Sequence, residues 1–188
     1  MPRVSGQDGM LVKFVNWYTR RTYGRDTAIA GVMAHTPANL LGYGALEFGH
    51  ERSHGMSERL KVLAATKAAC VIGCAFCIDI GSALGRKAGV TEQQLRDFHT
   101  YRESAAFSDE EKLVMEYAEE MTRENVMVPE ELVERLQRQF SEAEIVDLTF
   151  AIAVENLRAR FNNALDIPVA GFSGGAYCPM PAQQAAAA

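Results

Sequence analysis

Cys70, Cys74 and Cys77 fall within eight positions of one another in the stretch CVIGCAFCIDIG, and Asp79 follows two residues after the last. Three chemistries fit such a cluster: a redox pair, part of a metal site, or small apolar side chains filling a tight helix contact. On a regular helix Cys74 and Cys77 would stand ~5 to 5.5 Å apart at Cα, within the reach of a disulfide. At ~100° per residue the same geometry lines up Lys67, Cys70, Cys74, Cys77 and Gly81 on one stripe. If Gly73 interrupts the helix, a new helix starts at Cys74 and a thiolate there faces unpaired N–H groups. Lowering a thiol pKa from ~8.5 to ~7 raises its ionised fraction about tenfold near neutral pH.

The metal reading lacks partners. Structural zinc takes four ligands, and no second CxxC or CxxH accompanies the first. A competing motif is HERSH, residues 50–54, which matches H-E-x-x-H through His50, Glu51 and His54. It runs out at Gly55, where a helix is expected to end, and no third ligand stands out downstream. It reads as a solvated polar helix end, and no metal or cofactor is expected.

The elements that must position these residues are helical throughout. Capping boxes at Thr91/Gln94, Ser108/Glu111 and Ser141/Glu144 mark three helix starts. Pro129 suits a fourth. Apolar periodicity between these marks predicts helices near 9–23, 37–53, 57–72, 74–88, 91–98, 108–124, 129–138 and 141–164. Gly24, Gly55 and Gly89 sit where helices should stop. No window alternates with a period of two, so the fold class is all-α. The expected organisation is an N-terminal helical extension over 1–36, one domain over 37–167, and a flexible tail over 168–188. Cys178 lies in that tail and reads as an exposed thiol without a role.

With 188 residues, 48% apolar and 23% charged, the chain has the composition of an ordinary globular domain. A net charge of −5 gives no reason to expect nucleic acid or a membrane as partner. The basic and aromatic segment KFVNWYTRRTYGR reads as an amphipathic helix with a solvated face. No apolar run approaches the ~18 residues of a membrane span, and no signal peptide is evident, so a cytoplasmic location is expected. Segments as apolar as LTFAIAVENL supply more apolar face than one small domain hides, which predicts a homo-oligomer.

The segments HTPANLLGYGAL, SERLKVLAATKAACVIGCAFCIDIGSALGRKAGVTEQQL and DLTFAIAVENLRARFNNALDI carry a family likeness. From about Pro37 to Ile167 the chain resembles the carboxymuconolactone decarboxylase and alkyl hydroperoxidase D-like (AhpD-like) superfamily of helical oligomers. The resemblance implies a thiol peroxidase or disulfide reductase, with Cys77 as the attacking thiolate and Cys74 as its resolving partner. It also implies a Glu twelve residues before the first cysteine and a His four after the second. Those positions hold Val62 and Gly81 here, so the usual acid–base relay is absent.

The expected function is therefore that of a thiol-dependent oxidoreductase acting on a small hydroperoxide or other small molecule, with a dithiol electron donor. Its site residues would be Cys74, Cys77 and Asp79. Lys67, Glu155, Arg160 and the asparagines Asn156, Asn162 and Asn163 are further polar groups that could serve the pocket or tie helices together. The alternatives are a cofactor-free decarboxylase or lyase, with Arg160 or Lys67 holding a substrate carboxylate, and a non-catalytic helical oligomer that binds a small molecule.

Overall fold

The structure is a computed structural model that describes residues 2–124 and 126–174. Among these residues there are nine helices and no strand. They are α1 (Met10–Tyr23), α2 (Ile29–Met33), α3 (Pro37–Arg52), α4 (Glu58–Ile72), α5 (Ala75–Lys87), α6 (Glu92–Arg96), α7 (Asp109–Thr122), α8 (Glu130–Gln139) and α9 (Glu142–Ala164). The fold is the all-α bundle expected from the periodicity. The five-residue α2 escaped it, lacking the capping box that marks the equally short α6.

The three capping boxes form as their spacing predicts, at Thr91, Ser108 and Ser141, each with both reciprocal bonds. Ser57 caps α4 by accepting from the N–H of Leu60. Pro129 stands one residue earlier than expected, as the cap of α8 rather than within its first turn.

α4 is the centre of the bundle and packs against α5, α7 and α9. Its Ala64, Ala68 and Ala69 are fully buried, and their small side chains let neighbouring helices approach closely. α4 and α9 run side by side in the same direction. Met56, just before α4, donates its N–H to Asp147 on the first turns of α9, and Asn163 near the end of α9 donates to the Ile72 carbonyl. The buried Lys67 and the partly buried Glu119 form an ion pair at 2.7 Å that ties α4 to α7, with the ammonium over the Tyr101 ring.

The segment before α1 returns to the end of α9, where Arg3 bonds the Leu165 carbonyl and pairs with Asp166. Of the expected flexible tail, residues 168–174 are described, and Phe172 and Ser173 dock on α5. Residues 175–188, including Cys178, lie outside the described residues.

Candidate active site

The site begins with a broken helix. Gly73 takes a left-handed conformation (φ 77°, ψ 36°) that ends α4, a geometry with little cost only for glycine. The chain turns extended at Cys74, which becomes the N-cap of α5. Cys74 Sγ accepts the N–H of Cys77 at 3.2 Å, the place a Ser or Asp side chain would fill in an ordinary cap. Cys74 and Cys77 are joined as a disulfide, with Cα atoms 5.2 Å apart.

The single stripe expected from a continuous helix is not what forms. Lys67 and Cys70 belong to α4, while Cys77 and Gly81 belong to α5. Lys67 points its ammonium at Glu119, where it stabilises a carboxylate rather than a thiolate. Cys70 is buried near the end of α4.

A second donor reaches the pair from α9. Asn162, itself buried, places Nδ2 3.4 Å from Cys77 Sγ. Among the described residues, the hydrogen bonds to the two sulfurs thus come from one backbone amide and one side-chain amide. Cys74 has no exposed surface and Cys77 retains 4%, so Cys77 is the less enclosed residue of the pair.

The two empty relay positions have different physical reasons. A Cβ at Gly81 would lie 2.5 Å from Thr66 Oγ1 and 3.3 Å from Thr66 Cβ, so α4 occupies the space a histidine would need. The Thr66 hydroxyl itself is buried without a hydrogen-bond partner among the described residues. Val62 is buried and stands near Gly85, where α4 and α5 pack.

Asp79 is fully buried, and its carboxylate accepts from Phe172 N (2.8 Å), Ser173 N (2.8 Å) and Ser173 Oγ (2.6 Å). Among the described residues no hydrogen bond joins Asp79 to either sulfur. Phe76 meets Phe172 edge-on, so adjacent turns of α5 grip the 172–173 segment.

Arg160 lies on the outer side of α9, bonded to Asn156 and the Thr122 carbonyl. It borders a groove of about 590 Å³ lined also by Val71, Ile72, Thr122, Arg123 and Glu124, beside the end of α4. Asn156 bonds Thr122, so of the three late asparagines Asn162 alone faces a cysteine sulfur.

A separate polar cluster joins α3 to α9. Arg158 bonds the Glu47 carboxylate through two nitrogens and Glu155 Oε2 at 3.2 Å. Burial raises the Glu155 carboxyl to about 7, against the pull of Arg158, and its Oε1 has no partner among the described residues. Burial works against the Glu47 carboxylate too, but the Arg158 bonds outweigh it and hold Glu47 below the usual range.

The HERSH residues are parted, because α3 ends at Arg52 and leaves His54 outside the helix. Glu51 accepts from Tyr18 (2.7 Å) and Tyr23 (2.5 Å), and the His50 ring tilts against Phe150. Among the described residues no three His, Cys, Asp or Glu side chains are grouped to hold a metal ion.

With this geometry in place, comparison with known proteins identifies the core of the chain. Residues 37–120 match the carboxymuconolactone decarboxylase family. The chain resembles that family over this segment. It runs from the start of α3 almost to the end of α7 and includes both cysteines.

The uncharacterized protein YnjA of Escherichia coli is 39% identical over 98 residues, 52% of this chain. The match spans only 54% of YnjA, about half the length of that relative. Two solved structures extend the likeness to nearly the whole chain. The apo debrominase Bmp8 superimposes with a TM-score of 0.80 at 16% identity, covering 93% of this chain and 94% of its own. The alkylhydroperoxidase AhpD core of a peroxidase-related protein from Ralstonia eutropha JMP134 gives a TM-score of 0.80 at 14% identity, covering 95% and 97%. At such identities the likeness establishes the AhpD-like helical fold. No helix among the described residues is long and apolar enough to cross a membrane.

Proposed function

We propose that the chain is a thiol oxidoreductase in which Cys74 and Cys77 cycle between dithiol and disulfide. The observation that carries this reading is the placement of both sulfurs at the α4–α5 junction, already within bonding geometry at a Cα separation of 5.2 Å. Closing the disulfide then needs little backbone movement. Cys77, the less enclosed residue of the pair, attacks the substrate; Cys74, fixed as the cap of α5, resolves the intermediate.

With a hydroperoxide, the Cys77 thiolate takes the distal oxygen to give a sulfenic acid, and the alcohol leaves with a proton. Cys74 then displaces water to form the disulfide. With a small disulfide, Cys77 forms a mixed disulfide and releases one thiol, and Cys74 releases the other. In both cases a dithiol donor returns two electrons and two protons. Asp79 serves as a positioning residue that holds segment 172–173 against α5.

The assembly is a homo-oligomer. Leu41 and Phe48 on α3 and Val146, Phe150 and Leu157 on α9 expose apolar side chains at helical spacing, and His50 beside Phe150 brings the two faces together. Relatives of this fold include a debrominase and a peroxidase-related protein, in keeping with a cysteine site adaptable to several small substrates.

The test is mass spectrometry of the reduced protein before and after one equivalent of cumene hydroperoxide or 2-hydroxyethyl disulfide, with peptide mapping. Formation of a Cys74–Cys77 disulfide that a dithiol reverses, and its loss in Cys77→Ser, is expected. Cysteines that stay reduced with both oxidants would refute the reading. Full turnover of a substrate after replacing both cysteines would move the chemistry to the Arg160 groove.

A further inference from the structure

We infer that Asn162 is the catalytic donor that holds the Cys77 thiolate, and that it commits the pair to acceptors whose leaving group needs no proton. The inference rests on the Cys74–Cys77 couple proposed above and names what that couple reacts with: disulfides of small thiols in preference to hydroperoxides.

Asn162 is 4% exposed, on the last turns of α9, with Nδ2 3.4 Å from Cys77 Sγ. Its backbone is fixed locally, since its carbonyl accepts the N–H of Ile167 at 3.0 Å and closes the helix end. An amide N–H donated to sulfur favours the anion over the neutral thiol, because the bond strengthens when the acceptor is charged. The other sulfur is served the same way by the Cys77 backbone N–H. Both donors are amides, which stabilise charge and surrender no proton near neutral pH.

Among the described residues no acid is hydrogen-bonded to either sulfur, and both relay positions are taken up by helix packing. Thr66 fills the space beside Gly81, and Val62 is packed where α4 meets α5, so neither position offers an ionisable group. Asp79 is buried and committed to Phe172 and Ser173. Lys67 is paired with Glu119.

This distinguishes the two acceptor classes. Cleaving an O–O bond expels an alkoxide, a strong base that leaves rapidly only when protonated, and a positioned acid contributes about 10²- to 10⁴-fold to such a step. Cleaving an S–S bond expels a thiolate, which is stable in water near its pKa of ~8.5. In the disulfide reaction Cys77–S⁻ attacks RS–SR, forming Cys77–S–SR and RS⁻. Cys74–S⁻ then attacks Cys77 Sγ, forming the Cys74–Cys77 disulfide and a second RS⁻. The protein dithiol is oxidised by two electrons, and the disulfide is reduced to two thiols.

The experiment has two arms. In the first, alkylation of Cys77 by iodoacetamide is followed against pH in a Cys74→Ser background, read at the Cys77 peptide by mass spectrometry. Asn162→Ala removes the donor, and Asn162→Asp preserves the shape while replacing donor with anion. Each is expected to raise the midpoint pH and slow alkylation at pH 7 about tenfold, as for a hydrogen bond to a charged group. A loss of packing alone would not move the midpoint. An unchanged midpoint in whichever variants fold, with Asn162→Asp as the near-isosteric choice, would overturn the role of Asn162.

In the second arm, reduced wild-type protein is oxidised by 2-hydroxyethyl disulfide and by cumene hydroperoxide, and each rate is divided by that of free mercaptoethanol at equal thiolate concentration. The disulfide ratio is expected to exceed the hydroperoxide ratio by at least tenfold. A hydroperoxide ratio equal to or above the disulfide ratio would overturn the acceptor preference while leaving the couple intact. No oxidation by either reagent would overturn the couple itself.

Discussion

Substituting Gly81 by alanine tests whether α4 has closed the space of the missing histidine. The new Cβ would meet Thr66 Oγ1 at 2.5 Å and Thr66 Cβ and Cγ2 both at 3.3 Å, so rotating the threonine cannot clear every contact. Overpacking of this kind costs about 1 to 3 kcal/mol. The helix propensity of alanine over glycine returns up to about 1 kcal/mol. The net expectation for Gly81→Ala is a loss of about 1 to 2 kcal/mol, or roughly 4 °C in Tm for a chain of this size. Thr66→Ala removes a buried hydroxyl that lacks a partner, a relief of about 1 to 3 kcal/mol, and loses roughly 1 kcal/mol of methyl burial. In the double variant the Gly81 methyl enters the space Thr66 leaves. It should be at least as stable as the wild type, with a favourable coupling of about 2 kcal/mol. Urea denaturation of all four proteins under reducing conditions measures the cycle. Stabilisation by Gly81→Ala alone, or additivity of the two changes within about 0.5 kcal/mol, would refute the steric account.

Two other predictions follow from the α3–α9 contact. The Glu155 carboxyl is raised to about 7 in the folded state, above its unfolded value, so the folded state binds the extra proton between about pH 4.5 and 7. Stability contributed by that proton is present at the acid end and lost as pH rises through 7, on the order of 3 kcal/mol; Glu155→Gln should flatten this limb in pH-dependent urea melts, and an unchanged slope would refute it. Phe150→Glu puts a charge into the exposed apolar face of α9, 42% exposed in one copy, and should lower the mass measured by light scattering toward that of a monomer; an unchanged mass would remove α9 from the interface.

Helix starts were legible in the sequence because capping is local: the boxes at Thr91, Ser108 and Ser141 each need only four consecutive residues, and each formed as spaced. The all-α class followed from periodicity in the same way. α2 was illegible because five residues show no repeat and, unlike the equally short α6, it has no capping box. The Cys74–Cys77 separation could be estimated from helix geometry, and the interruption at Gly73 was foreseeable as a conditional reading, since glycine alone enters the left-handed region at little cost.

What lies near the sulfurs was decided only by the tertiary structure. Lys67 shares a helical stripe with Cys70 in the sequence, yet its partner is Glu119 from α7, fifty-two positions on. Asp79 stands two residues from Cys77, yet its carboxylate is claimed by Phe172 and Ser173. Asn162 is eighty-five positions from Cys77 and provides its side-chain donor. Sequence identifies which late-helix residues are polar, but only the rotation of α9 against α5 selects Asn162 over Asn156 and Asn163. By itself the sequence supplied the CxxC spacing and the glycine that ends α4, while the loss of the usual relay was read through the family resemblance. The packing of α4, α5 and α9 determined that amides, rather than acids, face the sulfurs, because side-chain contacts across helices depend on relative rotations that no local pattern encodes.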